Sequence, residues 1–68
     1  MITAKRLESG WWLIRGYGPC NWAQVPRWPC SEREIERHAF PEASDGFIRE
    51  AAAVAAAVYR ESDVQPHA

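Results

Sequence analysis

Apolar and polar side chains alternate along residues 2–17 as they do in half-buried β-strands. Strand-forming residues fill two runs, ITAKRLE at 2–8 and WWLIRGY at 11–17, and Gly10 between them suits a tight turn. Loops of two and of three residues give different registers. The three-residue loop collects four apolar side chains on one face of the hairpin: Ile2, Ala4, Trp12 and Ile14. We therefore predict a β-hairpin with this register.

A short third strand is predicted over residues 21–25, NWAQV, where the side chains alternate again. Gly16, Gly18 and Pro19 interrupt the chain before it, and Pro26, which has no amide hydrogen, ends it. The predicted sheet therefore has two or three antiparallel strands.

Helix signals begin after Cys30. Ser31 followed by Glu34 forms a capping box that starts a short helix over about 32–40, which Pro41 ends. The side chains predicted to face inward are Ile35, Ala39 and either His38 or Phe40.

Ser44 or Asp45 caps a second helix, which runs from about Phe47 to Arg60 or Glu61. Its apolar side chains recur at helical spacing in two adjacent rows: Phe47, Ala51, Val54 and Val58, and Ile48, Ala52, Ala55 and Tyr59. Alanine has little bulk, so this helix can lie close to bulky neighbours, and the tryptophans of the hairpin are the expected ones.

These elements predict an α+β fold, with an N-terminal antiparallel hairpin of two or three strands packed against two C-terminal helices. The chain has 68 residues, enough for a single core, so residues 1–62 are predicted to form one compact domain. Residues 63–68 are predicted to be a flexible tail. The segment GPCNWAQVPRWPC, residues 18–30, is interpreted as a lid in which prolines fix the backbone and tryptophans bury area.

Composition narrows the class of protein. Hydrophobic residues make up 47% of the chain and charged residues 25%, as in folded domains. The longest apolar run, residues 51–59, is too short to span a bilayer, and no secretion signal is recognised. We expect a cytoplasmic monomer, with no membrane contact.

Charge is distributed unevenly along the chain. Residues 1–30 carry four basic side chains and one acidic one, whereas residues 31–68 carry four basic side chains and eight acidic ones. Two interpretations follow: oppositely charged elements dock within the fold, or one charged face binds a partner.

The sequence contains few of the residue patterns that are typical of catalytic or metal-binding sites. Cys20 and Cys30 suit buried free thiols, although a disulfide would close a short loop, and zinc would need both together with His38 and His67. There is no CxxC pair, no phosphate-binding glycine loop and no third group to orient a Cys–His pair. We therefore predict a non-enzymatic protein without catalytic residues, metal or cofactor.

Two binding hypotheses remain. In the first, the acidic helices and one Arg–Trp pair bind a basic protein surface that handles nucleic acid; the residues are Glu32, Glu36, Glu42, Asp45, Glu50, Arg27 and Trp28. The charge imbalance favours this hypothesis over the alternative, since four cations are few and the whole protein is acidic. In the alternative, the basic hairpin binds nucleic acid directly through cations and aromatic rings: Lys5, Arg6, Arg15, Arg27, Trp11, Tyr17 and Trp22.

The chain as a whole resembles small phage-encoded anti-CRISPR proteins. The features that carry the likeness are a basic WWLIRGY hairpin, an acidic SEREIERH helix and an alanine-rich AAAVAAAVY helix within 68 residues. The resemblance implies an inhibitor that binds a CRISPR effector complex. It would cover the surface with which the complex binds DNA or recognises the protospacer-adjacent motif (PAM). The arginine, alanine and tryptophan content looks like that of a high-GC bacterial host, which favours type I complexes (Cascade) as the target.

Overall fold

A computed structural model describes the backbone of residues 1–64 and the side chains of residues 1–61. The elements are β1 (Thr3–Arg6), β2 (Trp12–Arg15), β3 (Trp22–Val25), α1 (Glu32–His38) and α2 (Asp45–Val64). The strands form one antiparallel sheet in the order β1-β2-β3, and both helices follow it along the chain. The predicted α+β fold is confirmed, including its third strand.

The hairpin has the predicted register. Ala4 lies opposite Ile14 and Arg6 lies opposite Trp12. The amide of Leu7 donates to the carbonyl of Trp11 at 2.7 Å, which leaves the three residues 8–10 as the loop. Gly10 has a φ of 95°, in the left-handed region that a glycine adopts without steric cost. The choice of register from the apolar face is therefore confirmed.

The chain after α1 returns to the free edge of β3. Ala39 forms a bridge with Ala23, and the Phe40 amide donates to the Trp22 carbonyl at 2.9 Å. This pairing requires extended backbone, which Ala39 adopts with φ −71° and ψ 151°. The prediction that α1 reaches residue 40 is therefore wrong: the helix ends at His38.

Serine side chains start both helices. Ser31 Oγ accepts from the Glu34 amide at 3.2 Å, and Ser44 Oγ accepts from the Phe47 amide at 3.1 Å. The Glu34 carboxylate lies 3.6 Å from His38 Nε2, one turn further along α1.

Helix α2 is longer than predicted. It continues to Val64 because no glycine or proline interrupts it between Gly46 and Pro66. The predicted tail therefore begins inside the helix, and its last residues, 65–68, lie outside the described part of the chain. Neither helix of the described residues combines the length and the apolar character needed to cross a membrane.

The core lies between one face of the sheet and the two helices. Seven side chains are buried there: Ile14, Ala23, Val25, Ile35, Phe47, Ala51 and Ala55. The half-buried rings of Trp12 and Trp28 pack against this cluster. Of the two tryptophans in the predicted lid, residues 18–30, Trp28 therefore packs on the core, whereas the register places Trp22 on the opposite face of the sheet.

Helix α1 lies beside both β3 and α2, and it separates most of α2 from the sheet. Ala52, Ala55 and Ala56 accordingly face Pro29 and Cys30. The expectation that the hairpin tryptophans cover these alanines is corrected, because α1 starts directly after Cys30 and occupies the intervening position.

Candidate functional site

Three carboxylates converge where α1 lies beside the start of α2. Glu32 and Glu36 are one turn apart on α1, and Asp45 is the first residue of α2. They line an open groove of about 370 Å³ together with Ile48 and Arg49, and we call it the acidic groove. Ile48 was predicted only as an apolar helix residue and Arg49 was not predicted in the site, although their spacing from Asp45 places both about one helical turn from it.

The charge of the acidic groove is not neutralised by contacts within the fold. Among the side chains of residues 1–61, no lysine or arginine lies within 4.0 Å of a carboxylate. Arg49 lines the groove but forms no such pair. Because these carboxylates form no ion pairs with lysine or arginine in the described part of the chain, the groove retains a negative potential that is complementary to a basic surface.

The other two acidic candidates lie outside this groove. Glu42 Oε2 accepts a hydrogen bond from the thiol of Cys20 at 3.6 Å. Glu50 lies 4.0 Å from the N-terminal ammonium of Met1, and both groups are largely exposed. The five acidic residues named from the sequence therefore do not form one surface.

Arg27 belongs to a second and larger groove, of about 790 Å³. It is lined by Pro29, Cys30 and the start of α1 and, from α2, by Ala52, Ala55, Ala56, Tyr59 and Arg60. We call it the alanine groove. Trp28, the neighbour of Arg27, is half-buried against the core. Trp11, Tyr17 and Tyr59 are the more exposed aromatic side chains.

The outward side of the sheet forms a third surface, which we call the outer sheet face. The register places six strand residues on it: Thr3, Lys5, Leu13, Arg15, Trp22 and Gln24. Both helices pack on the opposite face, which carries Ile14, Ala23 and Val25. Phe40 is brought to the β3 edge by its backbone bond to Trp22, and the two rings stack with centroids 5.2 Å apart and planes at 26°.

The cysteines are free thiols in separate surroundings. Partial burial raises the pKa of Cys20, and the hydrogen bond and negative charge of Glu42 raise it further. Burial also raises the pKa of Cys30; Glu34 adds to the increase and Arg27 opposes it. No cluster of three or more histidine, cysteine or carboxylate side chains that could hold a metal occurs among the described residues.

The carboxylate of Glu42 beside Cys20 should slow alkylation of the Cys20 thiol. A carboxylate beside a thiol disfavours the thiolate, so Glu42→Gln should lower the pKa of Cys20 and speed its reaction with iodoacetamide at neutral pH. Mass spectrometry of the two cysteine peptides measures both rates, with Cys30 as the internal control. An unchanged Cys20 rate, or equal acceleration at Cys30, would contradict the local effect of Glu42.

No family model, no curated protein and no solved structure matches this chain.

Proposed function

We propose that the protein is a small non-catalytic inhibitor that binds a basic, DNA-handling surface of a CRISPR effector complex through its acidic groove. The observation that carries this proposal is the convergence of Glu32, Glu36 and Asp45 without a basic side chain within ion-pair distance in residues 1–61. A surface that binds DNA presents lysine and arginine side chains to the phosphates. Clustered carboxylates can form ion pairs with the same lysine and arginine side chains.

The charge of the partner surface and the identity of the partner are inferred from different observations. The acidic groove indicates a basic partner surface, whereas the choice of a type I effector complex (Cascade) rests on the resemblance in format to anti-CRISPR proteins. An inhibitor of this kind needs no catalytic group, because it acts by occupying the surface in stoichiometric amount. It acts in the bacterial cytoplasm, where its target complex is found.

A pair of charge reversals tests the acidic groove. Glu36→Lys places a cation inside the groove, whereas Glu50→Lys makes the same change of charge outside it. We expect Glu36→Lys to weaken binding to the basic partner about tenfold, mostly by slowing association, and Glu50→Lys to have a much smaller effect. Both residues are exposed, so the free energy of unfolding should change by no more than about 0.5 kcal/mol in either variant.

The measurement is surface plasmon resonance against a purified type I effector complex, followed by a target-DNA binding assay with saturating inhibitor. Unchanged affinity of Glu36→Lys, together with loss of binding in Arg6→Glu/Arg15→Glu, would replace the acidic groove by the hairpin as the contact surface. Absence of wild-type binding to effector complexes from several high-GC hosts would overturn the partner's identity.

A further inference from the structure

We propose that the outer sheet face binds single-stranded nucleic acid, with Lys5 and Arg15 on phosphates and Trp22 stacked on a base. This surface lies on the opposite side of the sheet from the helices that form the acidic groove. The inference goes beyond the proposed function and does not depend on it, because a different element and the opposite charge carry it.

The charge of this face is the first argument. Lys5 lies opposite Leu13, and Arg15 is two residues beyond Leu13 on β2, so the two cations are diagonal neighbours on the same face. Both side chains are exposed. The six strand residues of this face include these two cations and no carboxylate, so their net charge complements a phosphate backbone.

The Trp22 ring is the second argument. Phe40 stacks against one side of the indole, so a base would stack on the other side. Trp22 also lines a shallow depression of about 310 Å³ beside Arg15 and Gln24. An aromatic ring next to cations is the arrangement on which single-stranded nucleic acids stack their bases, and an amide such as that of Gln24 can both donate and accept hydrogen bonds.

The fold also separates residues that the sequence had grouped. Arg6 lies opposite Trp12 on the other face of the sheet, Arg27 lines the alanine groove, and the Trp11 ring meets His38 edge-on with centroids 5.4 Å apart. A base within a duplex is already stacked between its neighbours, whereas an unpaired base is free to stack on the Trp22 ring. A single strand therefore fits this face better than a duplex.

Fluorescence anisotropy with a labelled single-stranded DNA 15-mer, the matching RNA and the matching duplex tests the proposal. We expect the wild-type protein to bind both single strands with a dissociation constant of roughly 10–100 µM and the duplex more weakly. Two phosphate contacts predict an affinity loss of about sevenfold between roughly 50 and 200 mM salt.

Matched variants assign the binding to this face. Lys5→Glu/Arg15→Glu should weaken binding at least about tenfold, whereas Arg33→Glu/Arg37→Glu makes the same change of net charge on exposed α1 positions and should change it little. Trp22→Leu should weaken binding about tenfold, and Trp22→Phe should retain most of it, because every aromatic ring offers a stacking surface. Circular dichroism confirms that each variant is folded before its affinity is compared.

Three results would overturn the proposal. The first is no binding of either single strand at about 100 µM protein, and the second is equal weakening by the two double variants, which would indicate a general charge effect. The third is loss of effector-complex binding or of self-association in Lys5→Glu/Arg15→Glu without oligonucleotide binding by the wild type, which would assign the face to a protein. The first two results do not bear on the acidic groove. Loss of effector-complex binding in Lys5→Glu/Arg15→Glu does bear on it, and the comparison of Glu36→Lys with Glu50→Lys then decides whether the groove also contacts the complex.

Discussion

Gly16→Val is expected to lower the free energy of unfolding by about 3 kcal/mol, by overpacking the core. A Cβ atom at Gly16 would lie 2.6 Å from Cδ1 of Phe47, whose ring is only 3% exposed and has little room to move. The backbone of Gly16 does not have a positive φ, so the penalty is steric. Because a domain of this size has roughly 3–5 kcal/mol of stability, the variant should be largely unfolded at physiological temperature.

Thermal and urea melts of three variants separate this clash from a general effect of replacing glycine. Gly46→Ala lies in the first turn of α2, with its nearest neighbour, Ser44 Oγ, at 3.8 Å, and should be neutral or stabilising by up to about 1 kcal/mol. Gly16→Val should cost less in a Phe47→Leu background, because the opposing ring is gone. A Gly16→Val protein as stable as the wild type would contradict the close contact with Phe47.

Ala55→Leu is expected to destabilise the protein by about 1–3 kcal/mol. Ala55 is 1% exposed on the side of α2 that faces the rest of the fold, so three additional carbon atoms must displace neighbouring side chains even though Ala55 borders the alanine groove. Leucine and alanine have similar helix propensity, which leaves overpacking as the main cause of the loss.

Ala56→Leu is the matched control, since Ala56 is the next residue in the same helix and is exposed. Its free energy of unfolding should stay within about 0.5 kcal/mol of the wild type. Ala52 is half-buried on the alanine groove, so Ala52→Leu should fall between the two variants. Equal melting temperatures for Ala55→Leu and Ala56→Leu would show that α2 is not closely packed at Ala55.

The parts of the fold that were predictable from sequence are those fixed by local chemistry. One hairpin register collects more apolar side chains on one face than the other register does. Ser31 and Ser44 start helices because their hydroxyls accept the amides three residues further along the chain. These choices involve neighbours within a few positions along the chain. They were therefore visible without the tertiary structure.

The end of α1 and the surroundings of Phe40 depend on contacts that local sequence does not encode. Local propensity allows α1 to continue to Phe40, but the sheet edge offers Ala39 and Phe40 partners in Ala23 and Trp22. Pairing with the sheet edge therefore outweighs the local helix propensity of these two residues. A predicted inward helical residue thus becomes the stacking partner of Trp22 on the outer sheet face.

The candidate surfaces were only partly predictable for the same reason. The sequence identified unpaired negative charge but could not divide it between elements, because the angle between α1 and α2 decides which carboxylates meet. Glu32, Glu36 and Asp45 share a groove, whereas Glu42 lies beside Cys20, 22 positions away in sequence. Spacing along one helix relates Glu32 to Glu36, but no local pattern relates either to Asp45.

The bridge between Ala39 and Ala23 also limits how copies of this protein can associate through their backbones. It occupies part of the β3 edge, whereas β1 has no strand beside it on its outer side among the described residues. An open ribbon of sheets requires two free edges on every molecule, one to receive a strand and one to offer it. Backbone pairing between β1 strands would therefore join two copies about a twofold axis and extend no further, and Lys5 and Arg6 on those strands would set like charges against each other.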